Sequence, residues 1–290
     1  MDEVDFYLKD LASRFPKDRE NYYLSYSDGK DSHFLYWFIK HYLKDDKIKI
    51  VSVNTYMEHP EIFARMRKNA DIILIPKLKP FEIKEKYGIP CFSKVQDDFI
   101  NRYQSGCRTP SLMKRINGYM FEGVDKKTYK TFFKLNNSAR DLLVNNKLHK
   151  ISPYCCKYLK KEPFIQFEKE SGKHPILGIR GGESKLRKSQ YKKCFTKDGK
   201  FTPLWDLTDS MLDKIYQKFD IEIPIIYNYI SRTGCMGCPY GSWKGGTKIE
   251  LDLLPENKRK FVIEYFKESY DVLGIDYKHQ QFNLNLEEEE

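Results

Sequence analysis

Ser27-Asp28-Gly29-Lys30-Asp31-Ser32 is the stretch whose reading decides the fold. The residues before it, 22–27 (YYLSYS), form a short apolar and aromatic run of the kind that makes a buried strand. The residues after it, 34–43 (FLYWFIKHYL), are apolar and long enough for a helix packed on a sheet. A tight turn from a strand into a helix is where phosphate binds. Free backbone N–H groups converge there, the helix dipole is positive, and small residues allow close approach. Ser27 and Ser32 can donate hydroxyls, and Lys30 can add a point charge. Asp31 can help place Mg2+ or accept backbone N–H groups. The G-x-x-x-x-G-K-S/T spacing of a Walker loop is absent.

Working outward, residues 47–54 (KIKIVSVN) alternate as a second strand, 60–69 begin on Pro60 and run as a helix, and 71–76 (DIILIP) are a third strand. This order predicts an α/β protein with a doubly wound parallel sheet. Residues 1–15 read as an amphipathic helix. The stretch 78–150 is less regular, with helical signals at 113–119 and 129–144. A strand signal returns at 175–179. Residues 204–219 have helical spacing with Asp206 or Thr208 as the cap. A Gly-rich stretch over 232–246 precedes a closing helix over 254–273. With no repeat and no Pro/Gly/Ser-rich linker, the expected organisation is one α/β domain over residues 1–240. A C-terminal helix and acidic tail over 241–290 complete a helical, cysteine-bearing C-terminal part.

The 290 residues are 40% hydrophobic, enough to bury a core, and 32% charged. No apolar run approaches the roughly 18 residues a membrane span needs. The N-terminus lacks the basic start and apolar middle of a signal peptide, so a cytoplasmic location is expected. The net charge is +10, and residues 150–200 alone carry 12 Lys and 2 Arg against 4 Glu and 1 Asp, a net +9. Such a segment is either a solvated lysine-rich face or a surface for a polyanion. The run Glu287–Glu290 is expected to be disordered.

At the loop the chain resembles the PP-loop ATP pyrophosphatases, whose signature is S-G-G-x-D-S, with Asp28 at the second-position glycine. Asp tolerates positive φ better than most residues. Asn54-Thr55-Tyr56-Met57-Glu58-His59-Pro60-Glu61 is similar to the D/N-T-G-x-E-x-P-E run of the phosphoadenylylsulfate (PAPS) reductase branch, with Tyr56 at the glycine. Gly178-Ile179-Arg180-Gly181-Gly182-Glu183-Ser184, with Arg187 beyond, resembles that branch's G-x-R-x-x-E-S-x-x-R element. The resemblance implies ATP and Mg2+ as ligands, held by Ser25, Ser27, Asp28, Gly29, Lys30, Asp31, Ser32, Asn54, Glu58, Gly178, Arg180 and Glu183. It implies catalytic roles for Lys30, Asp31, Arg180 and Arg187, the arginines binding oxyanions bidentately. In a doubly wound sheet the strand ends at Ser27 and Asn54 are expected to face one crevice.

The seven cysteines, an odd number, argue against a disulfide framework. Cys155 and Cys156 are adjacent, and Cys235 and Cys238 form a C-x-x-C in a Gly-rich turn, the form of a metal knuckle or a redox pair. Structural zinc sites use two spaced knuckles, which an adjacent pair fits poorly. Four thiolates are what a [4Fe-4S] cluster takes. The pattern C-C-x-x-x-K/R-x-x-P, here Cys155, Cys156, Lys160 and Pro163, followed downstream by G-C-x-x-C, resembles the cluster-bearing PAPS reductase family. That group includes adenylylsulfate reductases and DNA phosphorothioation sulfurtransferases. It implies a [4Fe-4S] cluster on Cys155, Cys156, Cys235 and Cys238.

Sulfonucleotide reductases attack sulfur with a cysteine in a C-terminal E-C-G-x-H segment, and no cysteine follows Cys238. The chemistry that the PP-loop resemblance implies instead is ATP cleavage to AMP and pyrophosphate, activating an acceptor for sulfur transfer. Nucleic acid is the expected partner, DNA before tRNA, with a sulfur-donor protein such as a cysteine desulfurase. A sulfonucleotide reductase, a tRNA thiolase and a non-catalytic nucleotide-binding subunit are the alternatives. Cys194, among lysines, is a further candidate for a reactive thiol, as is Cys107 for the missing nucleophile.

Overall fold

Tyr23 and Leu24, both fully buried, lie on one of the two inner strands of a four-stranded parallel sheet in the computed structural model, which describes residues 2–117, 134–183, 191–231, 233–242 and 245–279. The strands are β1 (Tyr22–Ser25), β2 (Lys49–Val53), β3 (Ile72–Leu74) and β4 (His174–Ile176), in the order β3-β2-β1-β4. Leu24 pairs with Ile50 on one side and with Ile176 on the other. The helices, in chain order, are α1 (Glu3–Arg14), α2 (Lys30–Trp37), α3 (Pro60–Asn69), α4 (Pro80–Tyr87), α5 (Lys94–Gln104), α6 (Pro110–Asn117), α7 (Asn137–Val144), α8 (Glu162–Ser171), α9 (Asp209–Lys218), α10 (Gly246–Leu253) and α11 (Glu256–Leu273).

The chain forms two compact units. One comprises residues 1–54, 58–76 and 162–233; the other comprises 55–57, 77–161 and 234–290. The first holds the sheet. Successive strand residues point to opposite faces, and β1 uses this to bury aromatics on both. Tyr23 packs on Phe164 and Phe167 of α8 and donates its hydroxyl to Glu168 at 2.8 Å. Tyr22 lies at 6.2 Å from Phe201, which meets Phe15 edge-on at 5.2 Å. The chain winds from β1 to β3 in one direction and then returns to place β4 on the other side of β1. The switch point therefore falls between β1 and β4, the place where an open α/β sheet binds ligands.

The second unit is helical, with one parallel bridge between Ile89 and Ile151. Its first apolar cluster gathers Ile83, Cys155, Leu159, Met236, Val262 and Tyr265; its second gathers Phe99, Ile100, Leu112 and Leu143. Lys84 of α4 donates to the carbonyls of Glu264 and Tyr265, each at 2.9 Å, locking α4 to α11. The buried Asp97 accepts from the backbone of Cys91 (2.7 Å) and Phe92 (3.0 Å) and from the Tyr240 hydroxyl (2.8 Å).

The stretch 78–150, irregular in sequence, contains α4 to α7. The expected helix over 204–219 begins at Asp209, because Thr208 is the cap, accepting from Met211 N–H at 3.2 Å. The Gly-rich stretch hides α10, which starts at Gly246. The acidic run 287–290, Arg187 and Ser184 lie outside the described residues.

Candidate functional site

Helix α2 starts inside the phosphate-type loop: Gly29 is its N-cap and Lys30 its first residue. The first intrahelical bond of this turn runs from His33 N–H to the Gly29 carbonyl at 2.8 Å. The amides of Lys30, Asp31 and Ser32 thus stand at the helix start, where no intrahelical acceptor serves them. Ser32 Oγ donates to the Gly29 carbonyl at 3.0 Å and lies 3.2 Å from Ser27 Oγ, closing the loop. Ser25 ends β1 half-buried, and Ser27 is exposed. The Lys30 ammonium sits 5.1 Å from the ring centroid of Tyr227.

Asp28 answers the question its charge raises. Its φ is +52°, the conformation a glycine adopts freely, and its side chain is fully buried. One carboxylate oxygen accepts from Arg65 Nε at 2.7 Å and the other from the Tyr26 hydroxyl at 2.5 Å, with His33 Nδ1 at 3.2 Å. Burial works against the Arg65 charge, and Asp28 outweighs it. The acidic group is thus neutralised inside the unit. Arg65 is a residue the sequence reading missed.

The element after β4 meets this loop. A Cβ on Gly178 would lie 2.9 Å from the Ser32 nitrogen and 3.0 Å from the Asp31 carbonyl carbon. Only glycine allows that approach. Arg180, two residues on, pairs through Nε with Asp31 at 2.6 Å and through Nη1 with Asp209 at 2.6 Å. The 3-10 turn Gly181–Glu183 follows. The first and third sequence motifs therefore converge at the switch point, joining Lys30, Asp31 and Arg180.

Asn54 follows β2 and donates its N–H to the Leu74 carbonyl at 2.9 Å. Tyr56, at the second glycine departure, has φ +64°. Both departures thus keep the left-handed backbone that a glycine would supply. Glu58 is half-buried, and His59 is buried with both ring nitrogens unpartnered, its pKa pushed down to about 4 by burial. Glu61 accepts from the backbone of Ile225 (2.6 Å) and Ile226 (3.2 Å).

In the helical unit, Cys155, Cys156, Cys235 and Cys238 come together. The Cys155 thiol bonds to Cys156, which raises Cys155 and lowers Cys156; burial and the charges of Cys238 and Cys235 raise Cys155 further. Lys94, Lys160 and Lys161 also favour the Cys156 thiolate. Among the described residues no group of three or more His, Cys, Asp or Glu is arranged to hold a single metal ion. The Tyr265 hydroxyl is buried without a hydrogen-bond partner and feels all four cysteines. That orphaned donor and the four-thiol set fit an iron–sulfur cluster, whose sulfurs accept hydrogen bonds. The knuckle itself is braced: Gly237, at φ +58°, donates its N–H to Glu250 at 2.9 Å and accepts from Tyr270 at 2.5 Å.

Cys194 is not activated by its lysines. It is half-buried, and burial raises its pKa. Cys107 is lowered, chiefly by the Thr109 N–H. The lysine-rich segment is divided, residues 150–161 belonging to the helical unit and 162–200 to the sheet unit. Lys150 caps α4, donating to the Lys86 carbonyl at 2.7 Å, whereas Lys192, Lys193 and Lys197 are exposed.

The fold and site define an α/β protein with a phosphate-suited loop at the switch point of a parallel sheet. The chain is similar to the solved structure of a phosphoadenylyl-sulfate (PAPS) reductase from Candida auris, in a phosphate complex, at 16% identity over 80% of this chain and 87% of that one, with a TM-score of 0.42. No protein-family model and no curated protein matches it. No helix among the described residues is long and apolar enough to cross a membrane.

Proposed function

We propose that the chain is a PP-loop ATP pyrophosphatase that activates an acceptor for sulfur transfer and carries a [4Fe-4S] cluster. The observation that carries this reading is Asp28: it sits at a glycine's φ with its carboxylate buried against Arg65, so the loop keeps a phosphate-binding backbone despite the substitution. The amides at the start of α2, Lys30 and Arg180 supply donors and positive charge for the ATP phosphates, and Asp31 stands within reach for Mg2+. In the reaction, an acceptor oxygen attacks the α-phosphorus and pyrophosphate leaves. A sulfide-level nucleophile then displaces AMP, which carries the acceptor oxygen away. Positive charge opposite the departing pyrophosphate lowers the barrier because it acts where negative charge develops.

Cys155, Cys156, Cys235 and Cys238 would hold the cluster, which supplies sulfur-binding or redox chemistry when bound. Tyr265 and the lysines near Cys156 offset its negative charge. The acceptor in this reading is DNA, as in phosphorothioation, reached through exposed lysines such as Lys192 and Lys193. The test is anaerobic purification followed by incubation with ATP–Mg2+, a cysteine desulfurase, 35S-cysteine and either DNA or tRNA. The expected result is brown protein with about four irons per chain, as that cluster type requires, and label in DNA. Cys155→Ser should lose both the colour and the labelling, and Cys91→Ser neither. Stoichiometric zinc without iron contradicts the cluster, and label confined to tRNA moves the acceptor.

A further inference from the structure

Two side chains of α9, a helix that carries none of the three motifs, reach the two cationic residues that those motifs supply. At the start of the helix, Asp209 accepts from Arg180 Nη1 at 2.6 Å. Two turns on, the Tyr216 hydroxyl donates to the Lys30 carbonyl at 2.7 Å. Positions i, i+3 and i+7 fall on one face of a helix, so Asp209, Leu212 and Tyr216 form a single stripe. Leu212 and Tyr216 are buried, whereas the Asp209 side chain is 85% exposed.

The helix is fixed by contacts away from the loop. Lys214 pairs with Glu3 of α1 at 2.7 Å, and Lys218 pairs with Asp2 at 2.7 Å and Asp5 at 2.5 Å. Phe219, just past its end, lies 4.7 Å from the Trp37 ring of α2, centroid to centroid. Just before the helix, the Trp205 carbonyl accepts from Gly181 N–H at 2.9 Å, so the Arg180 segment is held by its backbone as well. The second contact of Arg180, from Nε to Asp31 at 2.6 Å, comes from the loop side. A guanidinium is planar and its donors form a rigid fork, so acceptors on two different nitrogens fix its plane.

We infer that α9 is a strut that sets the spacing between Lys30 and Arg180, with Asp209 and Tyr216 as its two positioning residues. The inference rests on the phosphate-loop reading above and adds residues that lie outside its motifs. Asp209 acts through the Arg180 guanidinium, and Tyr216 acts through the Lys30 backbone. An ion pair as exposed as that of Asp209 adds little to stability, so its effect is on orientation. A ligand long enough to engage both Lys30 and Arg180 depends on the spacing, whereas a single phosphate on the loop does not.

The test is calorimetry on the full chain with two ligands: orthophosphate, and α,β-methylene-ATP with Mg2+, which resists cleavage between its α- and β-phosphates. Asp209→Ala should weaken the ATP analogue about tenfold, the worth of one charge-assisted hydrogen bond from a misaimed Arg180. It should leave orthophosphate and thermal unfolding nearly unchanged, and Asp209→Glu, which keeps the carboxylate, should restore most of the affinity. Tyr216→Phe removes only the hydroxyl and should weaken the analogue about fivefold, the worth of a neutral hydrogen bond. The two positions stand about 10 Å apart along the helix and have different partners, so independent losses would multiply. Through one strut they do not: once one end is released the other no longer sets the spacing. The double variant should therefore bind only as weakly as Asp209→Ala alone. Losses that multiply, equal weakening of both ligands by Asp209→Ala, or unchanged binding in both single variants overturns the inference and leaves the phosphate loop intact. Failure of the wild-type protein to bind either ligand overturns the phosphate-loop reading and this inference with it.

Discussion

Arg65→Leu is expected to destabilise the sheet-bearing unit by about 3–5 kcal/mol, because it strands a fully buried Asp28 carboxylate without its cation. Tyr26 and His33 remain as neighbours, but neither carries a fixed positive charge. Urea unfolding monitored by fluorescence reads the loss. The coupled substitution is more informative. Asp28→Gly with Arg65→Leu removes both charges and restores the residue of the S-G-G-x-D-S signature. That double variant should recover most of the lost stability, since the positive φ at position 28 suits glycine. A cost below about 1 kcal/mol for Arg65→Leu alone, the range of a surface pair, would show that Asp28 is solvated.

Gly178→Ala has the second large effect, and it falls on the site. The added methyl meets the Ser32 nitrogen at 2.9 Å and the Asp31 carbonyl carbon at 3.0 Å, both backbone, so no side chain can turn aside to admit it. Overpacking of this kind costs about 1–3 kcal/mol. The larger consequence is positional. The phosphate loop and the Arg180 segment must separate, and a misplacement of this order lowers turnover on the order of 100-fold. ATP turnover and thermal unfolding, measured together, check it. Gly182→Ala, four residues on, is the control: nothing lies within 4 Å of its Cβ position, so both readings should stay at wild-type values. Equal behaviour of the two alanine variants contradicts the close packing of the loops.

The sheet was legible because its strands are short apolar runs in strict alternation with helices, and the turn after β1 has few alternatives. At their C-terminal ends the strands stop one to three residues before the runs do: 71–76 reads as a strand, but only Ile72–Leu74 pairs. The helices of the 78–150 stretch were harder. Helix α4 buries only Pro80 and Ile83, so its apolar periodicity is faint, although Pro80 at its start and the Ser93 cap of α5 were the available signals. Helix α10 was hidden because Gly245 is a turn residue, at φ +77°, set directly against a helix that begins on Gly246.

The candidate site divides the same way. Ser27 to Ser32, Gly178 and Arg180 are carried by local spacing and can be read from the chain. Their partners are not local. Arg65 reaches Asp28 from 37 residues away, and Glu61 holds Ile225 from 164 residues away. No periodicity encodes such contacts, so Arg65 and Tyr227 emerge only in the fold, and Glu61, which belongs to the second motif, shows its partners only there. The four cysteines were legible as a set from the C-C and C-x-x-C spacings. The Glu250 and Tyr270 brace behind Gly237 was not.

ATP labelled with 32P at the γ-position, incubated with the anaerobic protein, Mg2+ and an acceptor, tests the central claim most directly. The phosphate loop at the β1–β4 switch point predicts that the label leaves in pyrophosphate, with AMP formed in equal amount. Label appearing in orthophosphate, with ADP as the nucleotide product, would contradict it.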